Sequence, residues 1–581
     1  MNPIDFFKSP LSVAQKQYEA LRLYFVENVP AATVAKKFGY TYRGFTTIIS
    51  NFRKNLKNEN VNELFFKDKA KGRKKSALIM NDRDTIINLR KKNYSVEEIK
   101  AILDSKEHNI SQKTIYNILK EEGFSKLPRR TKKSKSQLAP AQIPADKSVA
   151  LDFDTQEEFK STSAGLICLM PYIEKFGIRE IIEKSDYPKT SQLSRLNSIL
   201  SFVALKASNI RRYTTDNVWC MDRGQGLFAG LNVLPKAAWF TSYSHRVTSD
   251  MNRNFLLELN KKWKEEGLLS DTVNLDFTTI PYWGDSEHLE NNWSGKRGKA
   301  LASMLAVLAQ DPDSGIIDYG DVNVLHKDES AVVLEFLDFY KSSASKIDDL
   351  KYLVFDSKFT NYQNLSILNE KGIKFITIRR RGKNIVDRLE NIPKSSWKTI
   401  RVEASANKKR TINVLDEIID LVGFDGKIRQ VSITGHGKIK PAVLITNDFD
   451  LTTESLVRKY ARRWLIEKEI AEQIHFFHLN NLSSSMVIKV DFDLTMSILT
   501  HNLFRLLANE LERFEKISDQ QLYEKFLYNS ADIIVGTEKI EIRYKKKRNL
   551  PLLLETMNNY HDIKYPWLGN KRLEIEGASY S

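Results

Sequence analysis

Cysteine is nearly absent from the chain: Cys168 and Cys220 are the only two in 581 residues. Two thiols exclude a disulfide framework and a Cys-rich zinc site, and fit a reducing compartment. With only nine histidines beside them, zinc-dependent chemistry is not expected. No apolar run reaches the roughly 18 residues that span a bilayer. The N-terminal stretch MNPIDFFKSPLSVAQ lacks the charged, apolar and cleavage regions of a signal peptide, so a cytoplasmic protein is expected. No phosphate-binding P-loop occurs, and ATP dependence is not indicated. What is present is the 41% hydrophobic and 28% charged balance of a folded chain, long enough for several domains.

The formal net charge is +17, and its location is more informative than its size. Residues 1–150 hold thirty Lys and Arg against fifteen Asp and Glu, so nearly all the excess is N-terminal. The same region carries two helical patterns. In the first, AATVAKKF and YRGFTTIISNFRK are separated by Gly39 and Tyr40. Val34, Ala35 and Phe38 share one face of the earlier helix, and Phe45, Ile48, Ile49 and Phe52 one face of the later. This leaves Tyr42, Arg43, Thr46 and Thr47 outward, where a recognition helix meets bases and phosphates. In the second, Ser95 and Glu98 form a capping box before VEEIKAIL, and Ser111 caps QKTIYNILKEEG. Ile115, Ile118 and Leu119 face inward, and Gln112, Lys113, Tyr116 and Asn117 outward.

These patterns give helix-turn-helix modules at 1–60 and 79–127, a basic linker at 61–78, and a basic, Pro-containing linker at 128–148. The linkers are too charged to pack and suit the backbone or minor groove of DNA. Residues 149–268 read as a helical lead-in without a chemical motif, with Arg211, Arg212 and Arg246 as DNA-contact candidates.

From residue 269 strands and helices alternate. TVNLDFTTI, LASMLAVLAQ and GIIDYGDVNVL read as three strands, followed by the helix DESAVVLEFLDFYKS, the strand KYLVFDSKFT, a helix near NYQNLSILNEKG and the strand KFITIRR. That order predicts a mixed sheet flanked by helices over 269–382. Asp276 lies in the first strand and Asp356 ends the fourth, and carboxylates in such apolar runs are costly unless they bind a metal or are otherwise satisfied. Residues 383–447 form a β-rich block of alternating segments, and 448–510 return to helix, leaving 511–581 as a C-terminal region. In LVRKYARRWLIEKEIAEQIHFFHLN, Tyr460, Arg463 and Glu467 fall at i, i+3 and i+7, which places them on one helix face.

The segment VLITNDFDLTTESLVRKYARRWLIEKEI resembles the carboxy-terminal signature of DDE insertion-sequence transposases, whose mark is Tyr, two residues, Arg, three residues, Glu, six residues, Lys. With NLDFTT and LVFDSKFT the resemblance covers roughly residues 150–510. It implies a ribonuclease H-like α/β core with a β-rich insertion, in which Asp276, Asp356 and Glu467 are the catalytic triad. The chain departs from the signature at Ile474, where the lysine belongs; Lys468, Gln473, His475 and His478 are the available substitutes. Trp397 is read either as an ordinary strand residue or as the insertion aromatic that holds a flipped base in relatives.

The implied chemistry is metal-dependent cleavage and transfer of DNA strands. Three carboxylates suit two Mg²⁺ ions, with Mn²⁺ as a substitute. Asp276 would bridge the ions, Asp356 and Glu467 would hold one each, and Tyr460 and Arg463 would position a phosphate or base. Lys296, Arg297 and Lys299, with Arg379, Arg380 and Arg381, either line the DNA path or form a solvated surface. Double-stranded DNA is the expected partner, and a homodimer on paired ends is expected by analogy. The alternatives are a domesticated nuclease that cuts without inserting, and a non-catalytic DNA-binding regulator; retention of all three carboxylates speaks against the latter.

Overall fold

The computed structural model describes residues 13–56, 77–91, 94–104, 110–124, 156–190, 193–210, 218–281, 289–294, 299–343, 350–405, 408–437, 440–479 and 487–577. The chain divides into two compact units, residues 1–80 and 81–581.

In the first unit, α1 (Val13–Phe25), α2 (Ala31–Lys37) and α3 (Tyr42–Asn55) pack around Ala20, Leu21, Val34, Ala35, Phe45 and Ile49. Gly39 takes a left-handed conformation at φ 63°, which turns the chain out of α2. Thr41 then caps α3 by accepting the Gly44 amide.

The second unit takes in most of α4 (Ala77–Lys91), then α5 (Val96–Asp104) and α6 (Gln112–Glu121). Ser111 caps α6 by accepting the Thr114 amide, and Ile115, Ile118 and Leu119 are buried beneath it. Arg83 on α4 is clamped by Glu121 and Glu122 at the end of α6, which closes the three helices on one another. Lys91, at the end of α4, is buried and donates to the Val247 carbonyl at 2.6 Å, joining this module to the helical region that follows.

That region is helical, as in α7 (Arg195–Ala207) and α8 (Ser249–Glu265), yet it opens on a strand, β1 (Glu157–Ser161). β1 pairs antiparallel with β12 (Ala531–Val535) near the other end of the chain. With β13 (Lys539–Tyr544), β14 (Lys564–Tyr565) and β15 (Lys571–Gly577) it forms a five-stranded sheet in the order β1-β12-β13-β15-β14. The Tyr544 hydroxyl donates to the Ala164 carbonyl and lies 3.3 Å from the buried Cys168 thiol, which burial pushes up to about 12. That thiol is structural, not reactive.

The ten-stranded sheet dominates the molecule. Its first half comprises β2 (Thr272–Pro281), β3 (Asn291–Ser294), β4 (Lys299–Gln310), β5 (Ile317–Val324), β6 (Tyr352–Phe355) and β7 (Lys374–Ile378). β4 is antiparallel to β2 and β5, while β6 runs parallel to both β2 and β7. The helices α9 (Val332–Ser343) and α10 (Tyr362–Glu370) supply the crossovers that parallel neighbours require. β8 (Lys398–Ser405), β9 (Lys408–Asp420), β10 (Lys427–Thr434) and β11 (Ala442–Thr446) form an antiparallel run, and β11 pairs with β7, so the β-rich block extends the same sheet.

Two long helices follow, α11 (Thr453–Phe476) and α12 (Val487–Glu510). α11 lies over one face, where its Leu456, Val457 and Tyr460 pack with Val354, Ile376 and Leu444. α12 lies in the main core, with Met496, Leu499, Leu503 and Phe504 buried. MSILTHNLFRLLANEL is therefore core. Among the described residues, no helix is long and apolar enough to cross a membrane.

Candidate active site

Two strands deliver the first two carboxylates. In the parallel pair β2/β6, Asn274 is opposite Val354 and Leu275 opposite Phe355, so the next step along each strand brings Asp276 beside Asp356. Neighbouring strands are about 4.8 Å apart, and residues two apart share a face. Asp356 therefore projects to the side of Val354, the side covered by α11.

Each carboxylate segment is fixed locally. Asp276 Oδ1 accepts the Phe277 amide at 2.9 Å. Asp356 caps a single helical turn, Ser357–Phe359, by accepting the Ser357 amide, while its carbonyl accepts from the Thr377 hydroxyl at 3.4 Å. On the reverse face Phe277 and Phe359 stack with centroids 3.9 Å apart and planes within 5°. That stack joins the neighbour of one aspartate to the turn of the other, so neither shifts without the other.

The helix brings the third group. Arg463 is 3% exposed and donates from Nη1 to Asp276 Oδ2 at 3.3 Å; Asp276 is itself 7% exposed. Arg463 Nε donates to the Tyr460 hydroxyl at 3.2 Å. Tyr460 lies in the apolar layer between helix and sheet, where it holds Arg463 and is closed to solvent in this state. One turn earlier, Lys459 donates to Thr272 Oγ1 at 2.9 Å and sits over the Tyr352 ring, with burial holding its ammonium below the ordinary range. Sequence reading missed Lys459. Its spacing of four from Arg463 was the available signal.

Glu467 belongs to α11. Its side chain lies outside the described residues, as do those of Lys468, Gln473, Ile474 and His475. Among the described residues no group of three His, Cys, Asp or Glu is placed to hold a metal. Two carboxylates, of which Asp276 is paired with the Arg463 guanidinium, nevertheless form a donor set that fits a hard divalent cation.

The remaining candidates are dispersed. His478 follows α11 with φ 55° and bonds Asn209 through Nε2 at 2.6 Å. Trp397 is half-buried just before β8, at the end of the Lys394–Ser396 turn. Arg379 donates to Gln430 at 2.6 Å, and Arg246 sits over the Tyr243 ring. Lys296, Arg297, Arg211 and Arg212 lie outside the described residues. In the first unit Tyr42 and Arg43 are exposed, while the hydroxyls of Thr46 and Thr47 turn back to the Arg43 carbonyl. Tyr42 and Thr46 line a groove of about 350 Å³ with Tyr24, Ser50, Arg53 and Lys54, and the last two are cations sequence reading passed over. Gln112, Lys113, Tyr116 and Asn117 are exposed on α6.

Residues 270–503, which contain both strand aspartates, Arg463 and Glu467, match the family described as transposase DDE domain. No curated protein matches the chain. Among solved structures, a piggyBac transposase synaptic complex with hairpin DNA is similar, with a TM-score of 0.32 and 11% identity over 64% of this chain and 82% of that one.

Proposed function

We propose that this chain is a DNA transposase, in which helix-turn-helix modules hold the ends of a mobile element and a ribonuclease H-like core cleaves DNA strands and joins them to a target. The observation that carries the reading is the register that sets Asp276 beside Asp356 under α11, within the segment matching the transposase DDE domain. The strand order β5-β4-β2-β6-β7 and its mixture of parallel and antiparallel pairs support the ribonuclease H-like assignment. Glu467 is the third carboxylate: helical phase gives it the face of Tyr460 and Arg463.

Asp276, Asp356 and Glu467 would hold Mg²⁺, two ions per site, with Mn²⁺ able to replace it. When bound, the ions activate the attacking oxygen and stabilise charge on the departing 3′ oxygen. The chain's own residues position the substrate. Arg463, buried against Asp276 and braced by Tyr460, carries a planar guanidinium of the kind suited to bidentate contact with a phosphate. The N-terminal excess of Lys and Arg supplies sequence-independent attraction to the duplex. A homodimer on paired ends, acting in the cytoplasm at the nucleoid, completes the proposal.

The test is strand cleavage of a supercoiled plasmid bearing the gene with its flanking DNA, in Mg²⁺. Asp276→Asn, Asp356→Asn and Glu467→Gln should each reduce nicking on the order of a thousandfold or more while gel-shift binding persists. Wild-type nicking by all three variants would overturn the reading.

A further inference from the structure

Both oxygens of the Asp276 carboxylate are engaged. Oδ1 accepts the Phe277 amide at 2.9 Å, and Oδ2 accepts from Nη1 of Arg463 at 3.3 Å. The two members of this ion pair are buried, so each charge leans on the other rather than on water. Oδ2 is also an oxygen that a bridging cation needs, because a carboxylate spanning two ions uses both of its oxygens. A guanidinium and a divalent cation on one oxygen repel each other strongly where water is excluded. Arg463 and the metal are therefore competitors for Asp276.

The local structure lets this competitor move without moving its helix. Arg463 Nε donates to the Tyr460 hydroxyl at 3.2 Å, and the guanidinium lies 5.2 Å from the centre of the Tyr460 ring, so one edge of it is tied within α11 while another reaches the sheet. The helix beneath is pinned: Leu456, Val457 and Tyr460 pack with Val354, Ile376 and Leu444, and Lys459 holds Thr272. Release of Asp276 then takes a rotation of one side chain. What draws the guanidinium away is an acceptor that matches it better than one carboxylate oxygen at 3.3 Å, and a phosphate does so with two parallel hydrogen bonds.

We propose that Arg463 is a charge latch on the metal site: it holds Asp276 until a DNA phosphate takes the guanidinium, and so makes divalent-cation binding depend on DNA. The inference rests on the transposase reading and deepens it, by adding the order in which the site is filled. Linkage makes the effect reciprocal, so that whatever factor DNA adds to the affinity for the cation, the cation adds to the affinity for DNA.

Binding of Mn²⁺ to the full-length protein is followed through the electron paramagnetic resonance signal of the free ion, with and without a duplex taken from the DNA flanking the gene. Without DNA, Arg463→Gln should bind Mn²⁺ more tightly than wild type by roughly 5- to 150-fold. Tyr460→Phe, which keeps the charge and removes the brace, should move the affinity in the same direction by less, and its melting temperature reports whether the fold is intact. Arg462→Gln, which removes a neighbouring cation paired with Asp313 at 2.6 Å, should leave the affinity at the wild-type value and controls for loss of charge alone. The duplex should tighten wild type by more than it tightens Arg463→Gln. Should Arg463→Gln fail to fold, Tyr460→Phe decides by itself. Wild-type affinity in both variants, with binding abolished in Asp276→Asn, overturns the latch and leaves the transposase reading standing. Mn²⁺ binding that survives intact in Asp276→Asn overturns both.

Discussion

At Lys91 the physical chemistry is unusually exposed to measurement. Burial is the largest influence on its ammonium and lowers it to about 8, offset only in part by Glu122 and Asp84. Nearby His245, desolvated and faced by Lys489 and Lys91, is pushed down to about 3 and stays neutral. A lysine disfavoured as a cation in the folded chain takes up its proton more readily when unfolded. Between pH 8 and the ordinary 10.5 the unfolded state therefore holds the extra proton, and stability climbs with pH. Below pH 8 both states are protonated and the penalty is constant. Thermal unfolding of wild type and Lys91→Met should diverge accordingly, with wild type gaining on the variant by a few degrees as pH rises from 7 to 10. Parallel curves would show that the ammonium is solvated and that α4 does not rest on the Val247 loop.

Among the elements, α11 depends on Arg429 of β10. Its guanidinium donates to Asp416 at 2.9 and 2.6 Å, to Thr453 at 3.2 Å and to the Leu451 carbonyl at the helix start. Burial works against the Asp416 carboxylate, but the Arg429 and Thr453 bonds win and hold it below its usual range. Arg429→Met should lower the urea midpoint, with a cost on the order of 2 kcal/mol, because Asp416 is left with Thr453 as its donor and the Asp448 and Leu451 carbonyls lose the guanidinium at once. It should slow nicking as well, since the same helix carries Arg463 and Glu467. An unchanged midpoint would assign the anchoring of α11 to its apolar face.

That element level is also where reading from the sequence stopped. Asp276 and Asp356 stood out because each is acidic within an apolar β run, and Tyr460, Arg463 and Glu467 because helical phase is visible in spacing. Which strands pair is not written in periodicity. The β11 to β7 join that fuses the β-rich block to the sheet, and the pairing of β1 with β12, both depend on partners far away in the chain. Tyr460 shows a similar limit: spacing gives its face, but only the sheet beneath shows that this face is sealed.

For the molecule as a whole, charge is partitioned: the basic excess lies in the first 150 residues, and the carboxylate pair lies in a unit that begins at residue 81. Removing residues 1–76 should weaken binding to the flanking DNA roughly 10- to 1,000-fold at physiological salt and flatten its salt dependence, since fewer phosphates are neutralised. Fluorescence anisotropy across a salt series measures both, and an unaltered slope would place the main DNA contacts elsewhere.

The pairing of β1 with β12 also sets a timetable. Some 370 residues separate the two strands, so on the ribosome the first is made well before its mate. At about 5 to 20 residues per second, an open edge waits for roughly half a minute. A nascent chain can thus shape its N-terminal helices early, while the layer that seals Cys168 and Tyr544 closes only at the end of synthesis. Premature termination before residue 531 leaves that seam unzipped, so translation itself is a checkpoint on which copies complete the fold.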